Sequence, residues 1–457
     1  MKALSLVIFV LSFCEARSQQ LPSFRQLRYE EDYSSLRNDT SHRRHPSIKY
    51  LSLSRNGNTW LSMGGDIRYQ YQWFRNENWG KAIADKDGFL LTRYLVHSDL
   101  HLGAKTRFFV QLQSSLANGK ETSPSPVEEN QLDLHQAFAD VVFVRRGVTG
   151  LTLRVGRQEL LYGSQRLISV RDGPNNRQSF DAARMIFSDG YGTADLFFSH
   201  FVRSKQRIFD DGFNNNVKLW GAYLVRNKVP LVRNADLYYL GLHKSNAVFA
   251  DGIGRELRHS IGSRLWNTSS GARYDVEGLY QFGDLAGKAI SAWTISVNAG
   301  YKFNSWKCRP ELAIKTELIS GDAISGDGHL NTFNPLFPRG GYFGLVSLIG
   351  PSNLFDIHPS IALNISPATT WNFDCDLFWR YSRQDGIYQP NVALIYDGSA
   401  SKSLSIGRQY STDIVYTPNR FLYLRGEFTF FKAGQFLREA GPGKNILFAA
   451  ATIQYRF

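Results

Sequence analysis

From residue 60 to the C-terminus, hydrophobic and polar positions alternate with a period of two. Met63, Gly65, Ile67, Tyr69, Tyr71 and Trp73 alternate with Gly64, Asp66, Arg68, Gln70 and Gln72. Ala272, Tyr274, Val276, Tyr280 and Phe282 alternate with Arg273, Asp275, Glu277 and Gln281. The same holds for Trp306, Cys308, Pro310, Leu312, Ile314, Thr316 and Leu318, and for Trp371, Phe373, Cys375, Leu377, Trp379 and Tyr381. Successive strand side chains face opposite sides, so each stretch carries one apolar and one polar wall. A helix would not sort these residues into two faces. The pattern predicts eighteen strands, over residues 60–76, 88–104, 106–118, 131–146, 150–160, 181–189, 193–203, 216–227, 233–245, 256–267, 271–282, 288–303, 306–320, 354–366, 370–384, 403–417, 420–433 and 445–457. Most of these are far longer than the roughly 5–6 residues usual in soluble proteins.

The connections add independent information. Those after even-numbered strands are mostly tight, such as Asp189-Gly190-Tyr191-Gly192, Asn304-Ser305 and Thr417-Pro418-Asn419. Those after odd-numbered strands are mostly long: 119–130, 161–180, 204–215, 321–353, 385–402 and 434–444. Short turns on one rim, long loops on the other and aromatic strand tips are the marks of outer-membrane barrels. The expected fold is therefore all-β: a transmembrane antiparallel up-and-down β-barrel with a water-filled lumen. The chain ends Ile453-Gln454-Tyr455-Arg456-Phe457, which resembles the C-terminal signal through which the barrel assembly machinery receives such chains.

Composition narrows the class further. Apolar residues make up 43% and aromatic residues 14%, with only 20% charged, which excludes a disordered chain. Three cysteines provide no disulfide scaffold. The start, a basic Met1-Lys2, an apolar stretch from Ala3 to Phe13 and small residues at Ala16 and Ser18, reads as a secretory signal over residues 1–18. Residues 19–59 have no clean period and read as a periplasmic or lumen-entering lead; residues 60–457 form the barrel domain. The net charge of +13 points to anionic partners. Lipid and lipopolysaccharide would surround the outer wall, and nucleic acid is not an expected partner.

Three stretches resemble the alginate export family of outer-membrane barrels. One runs Gly156-Arg157-Gln158-Glu159-Leu160-Leu161-Tyr162-Gly163-Ser164-Gln165-Arg166-Leu167 and on through Arg171-Asp172-Gly173-Pro174-Asn175-Asn176-Arg177 to Ser179-Phe180-Asp181. Another holds Ser320-Gly321-Asp322, Asp327-Gly328 and Thr332-Phe333-Asn334-Pro335-Leu336-Phe337-Pro338-Arg339-Gly340-Gly341. The third is Tyr416-Thr417-Pro418-Asn419-Arg420 with Phe430-Phe431-Lys432-Ala433-Gly434-Gln435-Phe436-Leu437. The resemblance implies an eighteen-stranded barrel with an electropositive lumen that passes an anionic uronate polysaccharide. Many members of such a family would instead be general or substrate-selective porins taking up small anionic solutes or oligosaccharides.

Residues 154–184 are the best candidate constriction. Arg154, Arg157, Arg166, Arg171, Arg177 and Arg184 stand there against Glu159, Asp172 and Asp181. Arginine replaces the hydration of a carboxylate with bidentate hydrogen bonds, and arginine rings suit anion pores. The expected substrate-binding residues are Arg157, Arg166, Arg171, Arg177 and Arg184, with Arg339 at the tip of the longest loop. The competing arrangement is a solvated loop whose arginines pair with Asp172, Asp181 or lipopolysaccharide phosphates. The remaining inner-wall charges, among them Arg68, Arg93, Lys315 and Arg380, are expected in cross-strand ion pairs.

Other signals are weaker. His97 and His101 share a strand face but stand about 13 Å apart, too far for one metal ion. Asp322 and Asp327 form a possible calcium pair without helix-loop-helix spacing. Cys308 and Cys375 are expected on the outer wall, beyond disulfide reach. Ser164, Ser169 and His200 lack any spacing that would join them in a nucleophile–base pair, so neither an enzyme nor a cofactor is expected. A plugged structural or adhesive barrel is the remaining alternative to a passive pore.

Overall fold

A computed structural model describes residues 22–38, 48–83 and 87–457; the export signal expected over residues 1–18 lies outside them. The alternating stretches become eighteen long strands: β1 (Thr59–Arg75), β2 (Phe89–Leu102), β3 (Thr106–Asn118), β4 (Asn130–Arg146), β5 (Thr149–Gln158), β6 (Phe180–Asp189), β7 (Gly192–Arg203), β8 (Gly212–Val229), β9 (Arg233–Phe249), β10 (Gly252–Asn267), β11 (Ala272–Leu285), β12 (Lys288–Lys302), β13 (Glu311–Ile319), β14 (Leu354–Ser366), β15 (Thr369–Trp379), β16 (Ser405–Tyr416), β17 (Leu422–Ala433) and β18 (Ile446–Arg456). Each pairs antiparallel with the next. β1 returns to β18, with Tyr69 opposite Ile453, and closes the cylinder. Closure matters because an open edge would leave unpaired N–H and C=O groups in hydrocarbon. The expected eighteen-stranded antiparallel barrel is the observed fold.

Burial runs opposite to that of a soluble protein. On β1, Tyr69 and Tyr71 are 41% and 42% exposed, while Asp66 and Arg68 are 3% and 5% exposed. Val110, Leu196, Ile261, Ile295 and Ile314 are likewise exposed on the outer wall. In water such a continuous apolar surface would drive association; in a bilayer it meets lipid. The connections 103–105, 147–148, 190–191 and 367–368 define a short-turn rim, and 119–129, 159–179, 320–353 and 380–404 rise from the other.

Some boundaries differ from the sequence reading. The thirteenth strand begins at Glu311, five residues later than residue 306. Pro310 has no N–H to donate, and Cys308 and Arg309 hold φ of +60° and +39°. Cys308 therefore sits in a turn rather than on the outer wall; it and Cys375 are free thiols. The fifteenth strand stops at Trp379 rather than at residue 384. Arg380, expected in a cross-strand ion pair, instead donates to the carbonyls of Arg383, Asp385, Gly398, Ser401 and Ser403, winding the 380–404 loop around its guanidinium.

Residues 22–38 lie in the short-turn mouth. Tyr29 packs edge-on against Phe109 and Phe138 of the inner wall, with centroids 6.0 and 5.3 Å away. Arg28 donates to the carbonyls of Gly65 and Phe457 at 2.9 and 3.0 Å.

Candidate functional site: two loops across the lumen

The loops 159–179 and 320–353 turn inward and meet inside the barrel. Their backbones form a short ladder around an isolated parallel bridge between Ile168 and Phe337: Phe337 N–H donates to Leu167 O (2.8 Å) and Ser169 N–H to Phe337 O (3.0 Å), and Arg339 N–H adds a bond to Gln165 O (3.1 Å). Below the ladder, Phe337 packs on Phe180 and Phe201 at 5.1 and 5.2 Å. Leu160, Leu167, Ile168, Phe333, Leu336 and Phe343 are buried in the same cluster. Gly340 is required at the crossing, because a Cβ there would lie 2.2 Å from Pro174 Cδ.

Polar struts fix each loop to the wall. The Asn175 side chain donates to the carbonyls of Thr92, Leu116 and Glu128 at 2.9–3.1 Å. Arg68 donates to the carbonyls of Asp172 and Pro174, both at 2.8 Å. Arg93 pairs with Asp172 at 2.8 Å. Burial raises the Asp172 pKa, but Arg93, Arg177 and Arg68 outweigh it and hold that carboxyl well below the usual range. On the other loop, Asn334 donates to Glu256 (3.0 Å) and accepts from Gln281.

The crossing separates two vestibules. On the short-turn side is a cavity of about 950 Å³ lined by Tyr29, Arg107, Arg154, Tyr162, Arg184 and Tyr223 among others. On the long-loop side is one of about 650 Å³, whose lining includes Lys120, Arg171, Pro174, Lys244 and Phe337. A smaller space of about 200 Å³ holds Ser164, Arg166, Arg264, Lys315, Arg339 and Tyr342.

The six arginines expected at the constriction divide into two groups. Arg157, at the far end of β5, pairs with Asp181 (2.9 Å) and lies 3.8 Å from Asp133. Arg166 pairs with Glu317 (2.9 Å) and Glu277 (3.3 Å). Arg177 pairs with Glu159 (2.6 Å) and Asp172 (3.1 Å). Arg184 pairs with Asp195. Arg171 and Arg339 have no ion pair among the described residues. Burial alone pulls the Arg171 pKa down to about 10, so it stays cationic at neutral pH. The Arg339 guanidinium donates to the Tyr342 carbonyl (3.3 Å).

The site also contains Lys315, expected only as a wall ion pair, and Lys244, which the sequence did not single out. Lys315 stacks over Tyr342 and Phe343, 4.5 and 4.9 Å from their centroids. Lys244 joins Arg171 in the outer vestibule. Only loop folding brings them near, although both sit on polar strand faces. Asp322 and Asp327 do not converge: Asp322 accepts from Asn331 N–H, and Asp327 caps His329 N–H. Ser164 donates to Glu277 and His200 faces the Asn214 carbonyl, so no serine–histidine pair forms.

A search of curated proteins returns no match. Among solved structures, the barrel is similar to a BenF-like porin from Pseudomonas fluorescens Pf-5, with a TM-score of 0.59, 10% identity, and 87% of this chain and 98% of that one covered. It is also similar to Acinetobacter baumannii OccAB1, with a TM-score of 0.56, 12% identity, and 90% and 99% covered. Pseudomonas aeruginosa OccK2 (OpdF), solved in complex with glucuronate, gives a TM-score of 0.56 at 9% identity, with 90% and 99% covered. At such identities these likenesses concern the fold. The sequence itself matches the family described as alginate export over residues 59–446, and the chain therefore belongs to the alginate export family, as a channel-type barrel of the bacterial outer membrane.

Proposed function

We propose that this outer-membrane channel selects small carboxylated saccharides, and that the two crossing loops are its filter. The observation carrying this reading is that Arg171 and Arg339, one on each side of the crossing, are the two candidate arginines without a carboxylate partner. A guanidinium without a counter-ion favours an arriving carboxylate, which it can bind bidentately. Arg157, Arg166, Arg177 and Arg184 are largely neutralised by neighbours; in this reading they hold the wall and loops, and their charges act on the solute only at a distance. Several moderate sites on opposite sides of a narrow point also suit conduction, since a single tight site would trap the solute. The glucuronate bound to OccK2 supports a uronate as the solute class.

The test is reversal potential in planar bilayers under a salt gradient. The wild-type channel is expected to prefer anions, and the Arg171→Glu, Arg339→Glu double variant to lose that preference or invert it. An unchanged reversal potential would remove both residues from the filter. Family membership favours a second reading, export of a uronate polymer. Flux into proteoliposomes separates the two. Uptake falling steeply between monomeric glucuronate and defined oligouronates supports the small-solute channel, and equal flux for long oligomers supports the polymer conduit.

A further inference from the structure

Across the lumen, the inner faces of β13, β14 and β15 carry Glu317, Asp356, His358, Asp374 and Asp376, with Lys315 as the cation on the same strands. His358 Nδ1 lies 2.5 Å from Asp376 Oδ1, and His358 Nε2 lies 3.5 Å from Asp374 Oδ1. Ligand atoms of these three residues all lie within 4.8 Å of one another. Clustered acidic groups alone mean little, but two members here are fully enclosed. Asp356 and Asp376 are both 0% exposed. Both Asp356 carboxylate oxygens are buried without a hydrogen-bond partner among the described residues, whereas His358 Nδ1 and Asp376 Oδ1 face each other as an ion pair. Buried carboxylate oxygens are normally satisfied, and leaving both oxygens of Asp356 open is costly.

The backbone is also opened at this point. Register runs Ile357↔Leu377 and then Ser360↔Asp374, with no pairing between them. Pro359 has no N–H to contribute there. Two neighbouring cations are already engaged. Lys315 is bound to Glu317 at 3.0 Å, and Arg166 to Glu317 and Glu277.

We propose that His358, Asp374 and Asp376, completed by Asp356, bind a divalent transition cation of the Zn²⁺ class. One imidazole with carboxylates suits Zn²⁺ better than Ca²⁺, which takes oxygen ligands. Gln409 donates both to Asp376 Oδ2 (3.3 Å) and to the Phe343 carbonyl (2.7 Å), so the site is tied to the inward loop. Metal occupancy would stiffen the wall against which that loop rests.

The experiment uses the refolded full-length barrel in detergent, stripped with chelator. Titration with Zn²⁺ is expected to give one tight equivalent, with at least tenfold weaker binding in Asp376→Asn and His358→Gln and no competition from excess Ca²⁺. Heat-dependent gel migration checks that each variant is folded. Co²⁺ added to the wild-type protein gives a reading that needs no variant: a visible d–d band bleached by one equivalent of Zn²⁺. Failure of wild-type protein to bind stoichiometric Zn²⁺ or to give the Co²⁺ band overturns the proposal, as does wild-type affinity in both folded variants.

Discussion

A guanidinium inside this barrel is a strut where carboxylates or converging carbonyls stand within reach, and stays uncompensated where they do not. Arg166 bridges Glu277 and Glu317, and replacing it with Met would leave both carboxylates buried with less compensation. The expected loss is about 3–5 kcal/mol, the usual result of removing one partner of a buried pair. Arg171→Met removes a cation with no such partner, and its stability is expected to stay within about 1 kcal/mol of wild type. Urea unfolding of the detergent-solubilised barrel, followed by tryptophan fluorescence, checks both values. Asp322 gives a pH-dependent case. Burial, reinforced by the nearby Asp251, raises its pKa from 3.8 to about 7. The folded chain then binds more protons than the unfolded chain between about pH 4 and 7, so this contribution to stability is present at low pH and lost as pH rises through that window. Thermal midpoints at pH 4.5 and 7.5 are expected to differ less in Asp322→Asn than in wild type. A residual slope remains from Asp385, which burial also raises.

At the scale of elements, the two inward loops form one unit. Each is too polar to pack alone and too apolar to lie in water. Leu336, Phe337, Tyr342, Phe343, Val346, Leu348 and Ile349 are all buried in the 320–353 loop. Phe337 is the keystone, seated between Phe180 and Phe201. Phe337→Ala removes that contact and is expected to cost about 3–5 kcal/mol locally. Because the ladder at residues 165–169 and 337–339 depends on it, the substitution should also loosen the crossing. Single-channel recordings are expected to show larger, noisier conductance; traces like those of wild type would show that the ladder holds without the ring.

At the scale of the whole molecule, the outer wall shows most plainly what solvent the fold was built for. Leu196 is 62% exposed midway along β7, while its neighbour Asp195 is buried inside. Leu196→Arg puts a cation against lipid and is expected to cost up to about 2–4 kcal/mol, depending on depth. The check is the fraction of protein that reaches the heat-modifiable folded form in vesicles. Normal folding would show that this face does not meet hydrocarbon. The closed hydrogen-bond circuit and the lumen-crossing loops divide the architecture: the strand ladder makes the wall, and segments outside that ladder narrow the space inside it.

The alternation from Met63 to Phe457 was enough to determine the strands, their even number and the long-loop rim. A period of two is a local property of extended backbone, and one apolar face in two needs no knowledge of distant residues. Local backbone exceptions were harder to see: Cys308 left the outer wall because two left-handed residues and Pro310 end the strand there. The arginine-rich stretch at 154–184 was visible, but its division into paired and unpaired charges was not. Arg166 meets Glu277 and Glu317, Arg177 meets Glu159, and Arg171 meets none, because each outcome depends on residues brought together only by closing the cylinder and folding two loops into it. Apolar residues in a long loop, such as Phe337 and Phe343, hinted at that inward turn. Only tertiary structure could decide which carboxylates they would carry the arginines past, since charge pairing is set by distance in space and not by order along the chain.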